Sequence, residues 1–213
     1  MQITHLGHAA VLVEVADRRI LIDPGNFSDE WRGLTDLDAI LVTHIHGDHV
    51  DPDYAPALVE NNPDALVYVE PNVLEAVPLP RAKGLAADSS FELGGVRVSA
   101  VGGVHAIIHR DLPTFGNVGL VITAEGEPTL FHPGDALDTV PAGVDVLAAP
   151  LYGPWAAAKE TVDFVRAVGA THGFGIHDRL LAERGVQLLH GRLEAMTSTT
   201  MHDLRDGKAW TPA

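Results

Sequence analysis

The chain has 213 residues, 46% of them hydrophobic, enough to bury a full core in a single domain spanning 1–213. Its 29 acidic residues against 14 basic ones give a formal charge of −15, a field that repels polyanions and disfavours a general nucleic-acid binder. There is no cysteine, so disulfides, thiolate metal sites and thiol nucleophiles are excluded, and any metal must be held by nitrogen and oxygen.

The opening stretch MQITHLGHAAVLVEV lacks a basic segment followed by an apolar block, and no run approaches a membrane span, so a soluble cytoplasmic protein is expected. AAVLVEV, ADRR and ILIDPG then predict a hairpin running into a Pro-Gly turn, with Asp23 at the strand's end. DAILVT from Asp38 predicts a buried strand, and a short helix is expected from Asp53 to Asn61, capped by Asp53 and stopped before Pro63. Strands are predicted over 65–69, 91–93, 96–101, 118–123, 129–132 and 144–148, and helices over 156–168 and 180–196. The Pro-rich EAVPLPRAKG reads as a surface loop rather than a domain boundary. VLVEVADRRILIDPGN from Val11 matches LVITAEGEPTLFHPGD from Leu120 in apolar pattern, turn position and Pro-Gly, and the strands that follow, DAILVTHIHG and DVLAAPLYG, also correspond. Two related halves, as in two mixed sheets packed face to face with helices outside, would produce this; chance similarity of apolar hairpins is the rival explanation.

The chemistry concentrates in LVTHIHGDHVD, where three histidines and two aspartates close an apolar run. If residues 42–46 stay extended, His44 and His46 point the same way, because strand side chains repeat every second residue, and can grip one cation. Gly47 lets the chain turn, and Asp48 and His49 at the bend can face a second cation nearby. A histidine-rich solvated loop is the plain alternative; for a lone histidine it would be the better reading, but for H-x-H-x-D-H after a strand it is not.

This pattern resembles the metallo-β-lactamase superfamily, whose landmarks recur in order: Asp23 in LIDPG, the 44–49 cluster, His105 in GGVHA, Asp135 in HPGD and His177 in GIHD. The resemblance implies an α/β fold, a four-layer αββα sandwich of two mixed β-sheets. It assigns His44, His46 and His105 to one metal and Asp48, His49 and His177 to another, with Asp135 bridging and Asp23 orienting the ligands from behind. His105 has a rival in His109, and the glycine pair before His105 favours it. His177 competes with His172, which reads better as a packed or surface histidine, and His132, matching Asp23 in the repeat, suits a structural hydrogen bond. THLGHAAVLVE, GNVGLVI and Asp51 look most similar to the branch holding L-ascorbate-6-phosphate lactonase and N-acyl phosphatidylethanolamine phospholipase D.

The implied activity is dinuclear hydrolysis of a small ester, lactone or phosphodiester by a water activated between two divalent cations, zinc first, with manganese or iron as alternatives. Asp48 or Asp135 would orient the water. His8 or His109 would protonate the leaving group, with a structural role for His8 as the rival reading, and Arg110 or Arg179 would hold a substrate anion unless they are merely solvated. Phe27, Trp31, Tyr152 and Trp155, in loops 26–34 and 152–157, would line a substrate pocket, pack internally or mediate self-association. The competing functions are a metal-dependent nuclease, opposed by the charge, and a non-catalytic protein on the same scaffold, opposed by the complete ligand set.

Overall fold

In the computed structural model, which describes residues 1–212, β1 (Gln2–His5), β2 (Val11–Val15) and β3 (Arg18–Ile22) form an antiparallel meander. β4 (Ala39–Val42), β5 (Leu66–Val69) and β6 (Lys83–Gly84) continue from β3 in parallel, completing a six-stranded mixed sheet. The second sheet repeats the plan. β7 (Ser90–Leu93), β8 (Val96–Gly102), β9 (Val118–Ala124) and β10 (Leu130–His132) run antiparallel, and β11 (Val146–Pro150), β12 (His172–Ile176) and β13 (Thr200–His202) extend β10 in parallel. The two hairpins matched in sequence, β2–β3 and β9–β10, therefore occupy equivalent places, each followed by parallel strands.

Alternation along the strands sets the layers. Ala39 and Leu41 of β4, with Val146 and Ala148 of β11, join one cluster between the sheets, whereas Ile40, Val42, Leu147 and Ala149 face outward. Both faces of these strands are covered, which is why they read as unbroken apolar runs. Each buried leucine, isoleucine or valine among them contributes about 1.5–3 kcal/mol, so a charge at Leu41 or Val146 would undo the packing of a layer. Helices α1 (Ala55–Asn61) and α2 (Pro71–Ala76) cover the first sheet through Leu58, Val59 and Val73. Helices α3 (Ala158–Val168) and α4 (Glu183–Met196) cover the second through Val162, Val165, Val186 and Leu193. The Glu160 carboxylate accepts the Ala157 amide at the start of α3, and Gly169, at φ +65°, ends it. No helix among the described residues is long and apolar enough to cross a membrane.

Several elements depart from expectation. Asp53 does not cap α1: buried Asp51 accepts the amides of Asp53 and Tyr54 at 2.9 and 3.2 Å, so an Asx-type turn carries the chain out of the ligand loop and into the helix two residues late. The helix expected from residue 180 starts at Glu183, because Asp178–Leu180 forms a separate 3-10 turn. Strand β12, HGFGI, is hidden by its glycines, which disfavour strands; here they are required, since a Cβ on Gly175 would strike the Leu151 side chain. Strands β1, β6 and β13 and helix α2 are likewise absent from the sequence reading, being short and dependent on their neighbours.

Candidate metal centre

The C-terminal ends of β3, β4, β8, β10 and β12 converge at one edge, where a bridge between His44 and Asn117 ties the two sheets. Asp23 follows β3, the 44–49 loop follows β4, His105 follows β8, Asp135 follows β10 and His177 follows β12. The recurrent Pro-Gly turns explain how they pack so closely. A Cβ on Gly25 would collide with the backbone of Asp48 and His49, and one on Gly134 with the side chains of Asn117 and Thr43, so both glycines let a turn press against the ligand loop. His8, Asp23 and His177 hold φ values of +55°, +50° and +61°, left-handed backbone that costs each of them about 1 kcal/mol or more.

Two ligand groups result. Ligand-type atoms of His44, His46, His105 and Asp135 all lie within 4.8 Å of one another, as do those of His8, Asp48, His49 and His177. Asp135 stands between the groups: Oδ1 is 3.1 Å from His49 Nε2 and 2.6 Å from His177 Nε2, while Oδ2 is 3.3 Å from His105 Nε2 and 3.8 Å from His44 Nε2. Asp48 Oδ2 is 3.0 Å from His8 Nε2 and 4.0 Å from His49 Nε2.

The atoms behind the rings decide which nitrogen each presents. His49 Nδ1 donates to Asp23 Oδ2 at 2.7 Å, His105 Nδ1 to the Ala106 carbonyl at 2.6 Å and His177 Nδ1 to the Tyr152 carbonyl at 3.0 Å. Thr43 Oγ1 donates to Asp23 Oδ2 at 2.7 Å and accepts from His44 Nδ1 at 3.0 Å. In the neutral form that metal ligation requires, each of these four imidazoles turns an Nε2 lone pair inward. Lone pairs meet there at short range, with 2.8 Å between the Nε2 atoms of His49 and His177 and 3.1 Å from His44 Nε2 to His46 Nδ1. Buried His105 Nε2 and Asp135 Oδ1 have no hydrogen-bond partner among the described residues. Converging, unsatisfied nitrogen and carboxylate donors fit divalent cations, which would satisfy them all.

Electrostatics follow from burial and crowding. Burial drives the His44 pKa well below the ordinary histidine value, helped by neighbouring His49. Burial also opposes a charge on His49, but Asp135 and Asp23 outweigh it and hold His49 well above that value. For Asp135, burial favours the neutral acid, yet His177, His49 and His44 keep it well below the usual carboxylate range. His8 falls to about 4, chiefly by burial, with its bond to Asp48 opposing the shift.

The structure does not bring every expected residue here. His109 is exposed, its Nδ1 accepting the Asp111 amide within a surface turn, so the notion of His109 as proton donor is corrected. Arg110 is solvated, with 88% of its side chain exposed and Asp111 3.8 Å away, and Arg179 is engaged with Glu30 at 2.7 Å. Trp31 is buried in the helix-side core, donating to the Gly25 carbonyl, and is a packing residue. Phe27 packs at a tilt against His8 with centroids 4.8 Å apart, and Tyr152 is exposed while its carbonyl holds His177. His132 accepts the Gly134 amide at Nδ1 and donates to the Ala9 carbonyl. Two residues grip Asp135 in a way the sequence does not reveal, Trp155 reading there only as a pocket, packing or self-association residue. Trp155 Nε1 donates to its Oδ2 at 2.8 Å, and Asn117 Oδ1 accepts its amide at 2.9 Å; only the GNVG segment hinted at the latter.

Residues 2–172 match the family model described as the beta-lactamase superfamily domain. Protein Rv0786c of Mycobacterium tuberculosis is 39% identical over 212 residues, covering 99% of this chain and all of that protein. A UPF0173 metal-dependent hydrolase of Xanthobacter autotrophicus is 36% identical over 155 residues, 63% of this chain, which spans 62% of that relative's length. Among solved structures, Igni18, a metallo hydrolase from Ignicoccus hospitalis, superposes with a TM-score of 0.74 at 16% identity, covering 100% of this chain and 98% of that one; at that identity the likeness concerns the fold alone. The family match and the sandwich it accompanies place the chain in the metallo-β-lactamase superfamily of metal-dependent hydrolases.

Proposed function

We propose that the centre holds two divalent cations, zinc first, and hydrolyses a small ester, lactone or phosphodiester. The observation that carries this is the position of Asp135, one oxygen toward His49 and His177 and the other toward His105 and His44. His44, His46 and His105 would hold one cation and Asp48, His49 and His177 the other, with Asp135 shared. Two such cations, when bound, supply Lewis acidity at the oxygen under attack and a water whose pKa falls from about 15.7 to about 7.

The remaining tasks fall to the chain. Asp23 fixes His49 directly and His44 through Thr43, so the ligands need not reorganise as charge develops. Asp48 orients the attacking water, and His8 Nε2, donating to Asp48 Oδ2, keeps that carboxylate ionised. Buried His8 Nδ1 has no partner among the described residues, which leaves it free to exchange a proton with the substrate or leaving group. The early THLGHA motif, which supplies His8, supports the lactonase and phospholipase D-like branch over β-lactam hydrolysis. Metal analysis coupled to a panel of esters, lactones and phosphodiesters tests the reading: about two metals per chain and turnover of at least one class are expected, and metal-loaded protein inert toward all three would overturn it.

A further inference from the structure

Trp155 and His105 each serve two surroundings. On one side Trp155 Nε1 donates to Asp135 Oδ2 at 2.8 Å, and His105 Nε2 lies 3.3 Å from the same oxygen. On the other, both line a cleft of about 640 Å³ between the segment after β8 and helix α3. That volume falls within the roughly 300–1,000 Å³ typical of small-molecule sites. Ile107, Leu137, Phe164 and Ala167 give the cleft an apolar wall, and Ile107 is 70% exposed, apolar surface left without a partner. Every charged residue of the lining is acidic. Glu160 is engaged with the Ala157 amide and Asp163 lies 3.8 Å from Arg166, whereas Asp138 reaches only the neighbouring Thr139 hydroxyl. Among the described residues no lysine or arginine lines the cleft to welcome an anion, and the formal charge of −15 acts in the same sense.

Resting on the hydrolase reading above, we propose that this cleft is the subsite for an apolar chain of the substrate, and that this chain is uncharged or cationic. An apolar chain against Phe164 and Leu137 leaves its carbonyl group beside His105 and Trp155, next to the shared aspartate. An anionic chain meets the acidic lining of the cleft with no lysine or arginine among the lining residues and is disfavoured.

The test uses metal-loaded protein, p-nitrophenyl acetate and p-nitrophenyl octanoate as substrates, and octyltrimethylammonium as a probe of binding that needs no turnover. Ala167→Arg, an exposed position in the last turn of α3 where a basic residue is compatible with the helix, places a long cationic side chain in the cleft. Octanoate should be preferred over acetate by about tenfold or more in kcat/KM. Ala167→Arg should abolish that preference, lowering kcat/KM for octanoate about tenfold more than for acetate, and remove the calorimetric binding of octyltrimethylammonium. Equal kcat/KM for the two esters, or undiminished octyltrimethylammonium binding in Ala167→Arg, overturns the assignment. If neither ester turns over but octyltrimethylammonium binds the parent protein and not the variant, the cleft stands and the hydrolase reading falls; absence of both turnover and binding removes both.

Discussion

Strand β12 carries a histidine at each end, and the two ends behave differently. After the C-terminal end, His177 spends Nδ1 on the Tyr152 carbonyl and points Nε2 at Asp135, 2.6 Å away, among lone pairs that the protein leaves unsatisfied. At the N-terminal end, His172 Nδ1 meets His202 Nε2 at 3.1 Å, and both rings pack on Trp210, with centroids 5.8 and 4.3 Å from it. Among the described residues no carboxylate forms an ion pair with either His172 or His202. A pair of rings that satisfy each other is a packing device. What distinguishes a ligand is one nitrogen tied to an acceptor and the other left facing further donors, so histidine count alone carries little information.

The comparison breaks if the two ends respond alike to substitution. Asp135→Asn should lower turnover by about a thousandfold or more, as for members of a unit that act together, and reduce metal content below two per chain, read by elemental analysis. Asp23→Asn tolerates the left-handed backbone at +50° but loses the carboxylate behind His49, and should weaken metal affinity by about 10–100-fold in chelator competition. Trp155→Phe keeps a ring but removes the N–H on Asp135, and should cost about tenfold in kcat/KM while both metals stay bound. Chelation should lower the Tm by roughly 5–10 °C, because ions bound to the native state alone stabilise it by mass action.

The smallest effect belongs to the other end of β12. Burial first, then His172 and His190, lower the His202 pKa. Above the unfolded value both states are neutral at this residue and it contributes no pH dependence. Below it, the unfolded chain takes up a proton that the fold resists, so stability falls as pH drops through about 6.5 and the loss levels off below the folded pKa. His202→Gln should therefore flatten part of the Tm decline between pH 7 and 5, measured by thermal melts, with metal content and turnover unchanged. A fall in metal content here would erase the distinction between the two ends.

Most of the sheet framework was legible in the sequence, because strands covered on both faces must be apolar throughout: DAILVT and VDVLAA announce β4 and β11 directly. The ligand loop was legible from its residue types, H-x-H-x-D-H after an apolar run, although β4 stops at Val42 and the chain bends at Ile45 rather than staying extended to His46. The family resemblance added His105, Asp135 and His177, which spacing alone could only suggest. Where local propensity and tertiary demand disagree, the reading failed: the glycines of β12 conceal a strand because their use is to admit Leu151, a residue distant in sequence.

Composition and pattern thus determined, unaided, a cysteine-free, acidic, doubled β-rich chain with a nitrogen and oxygen ligand cluster at a strand's end. Only the tertiary structure decided which residues serve it. It set His109 and Arg110 in solvent, paired Arg179 with Glu30, brought His8 onto Asp48 and turned Trp155 toward Asp135. The physical reason is that local backbone periodicity determines only which way a side chain leaves its own strand. Whether two such side chains meet depends on the packing of two sheets and the turns between them, a property of contacts among residues as far apart as His49 and His177.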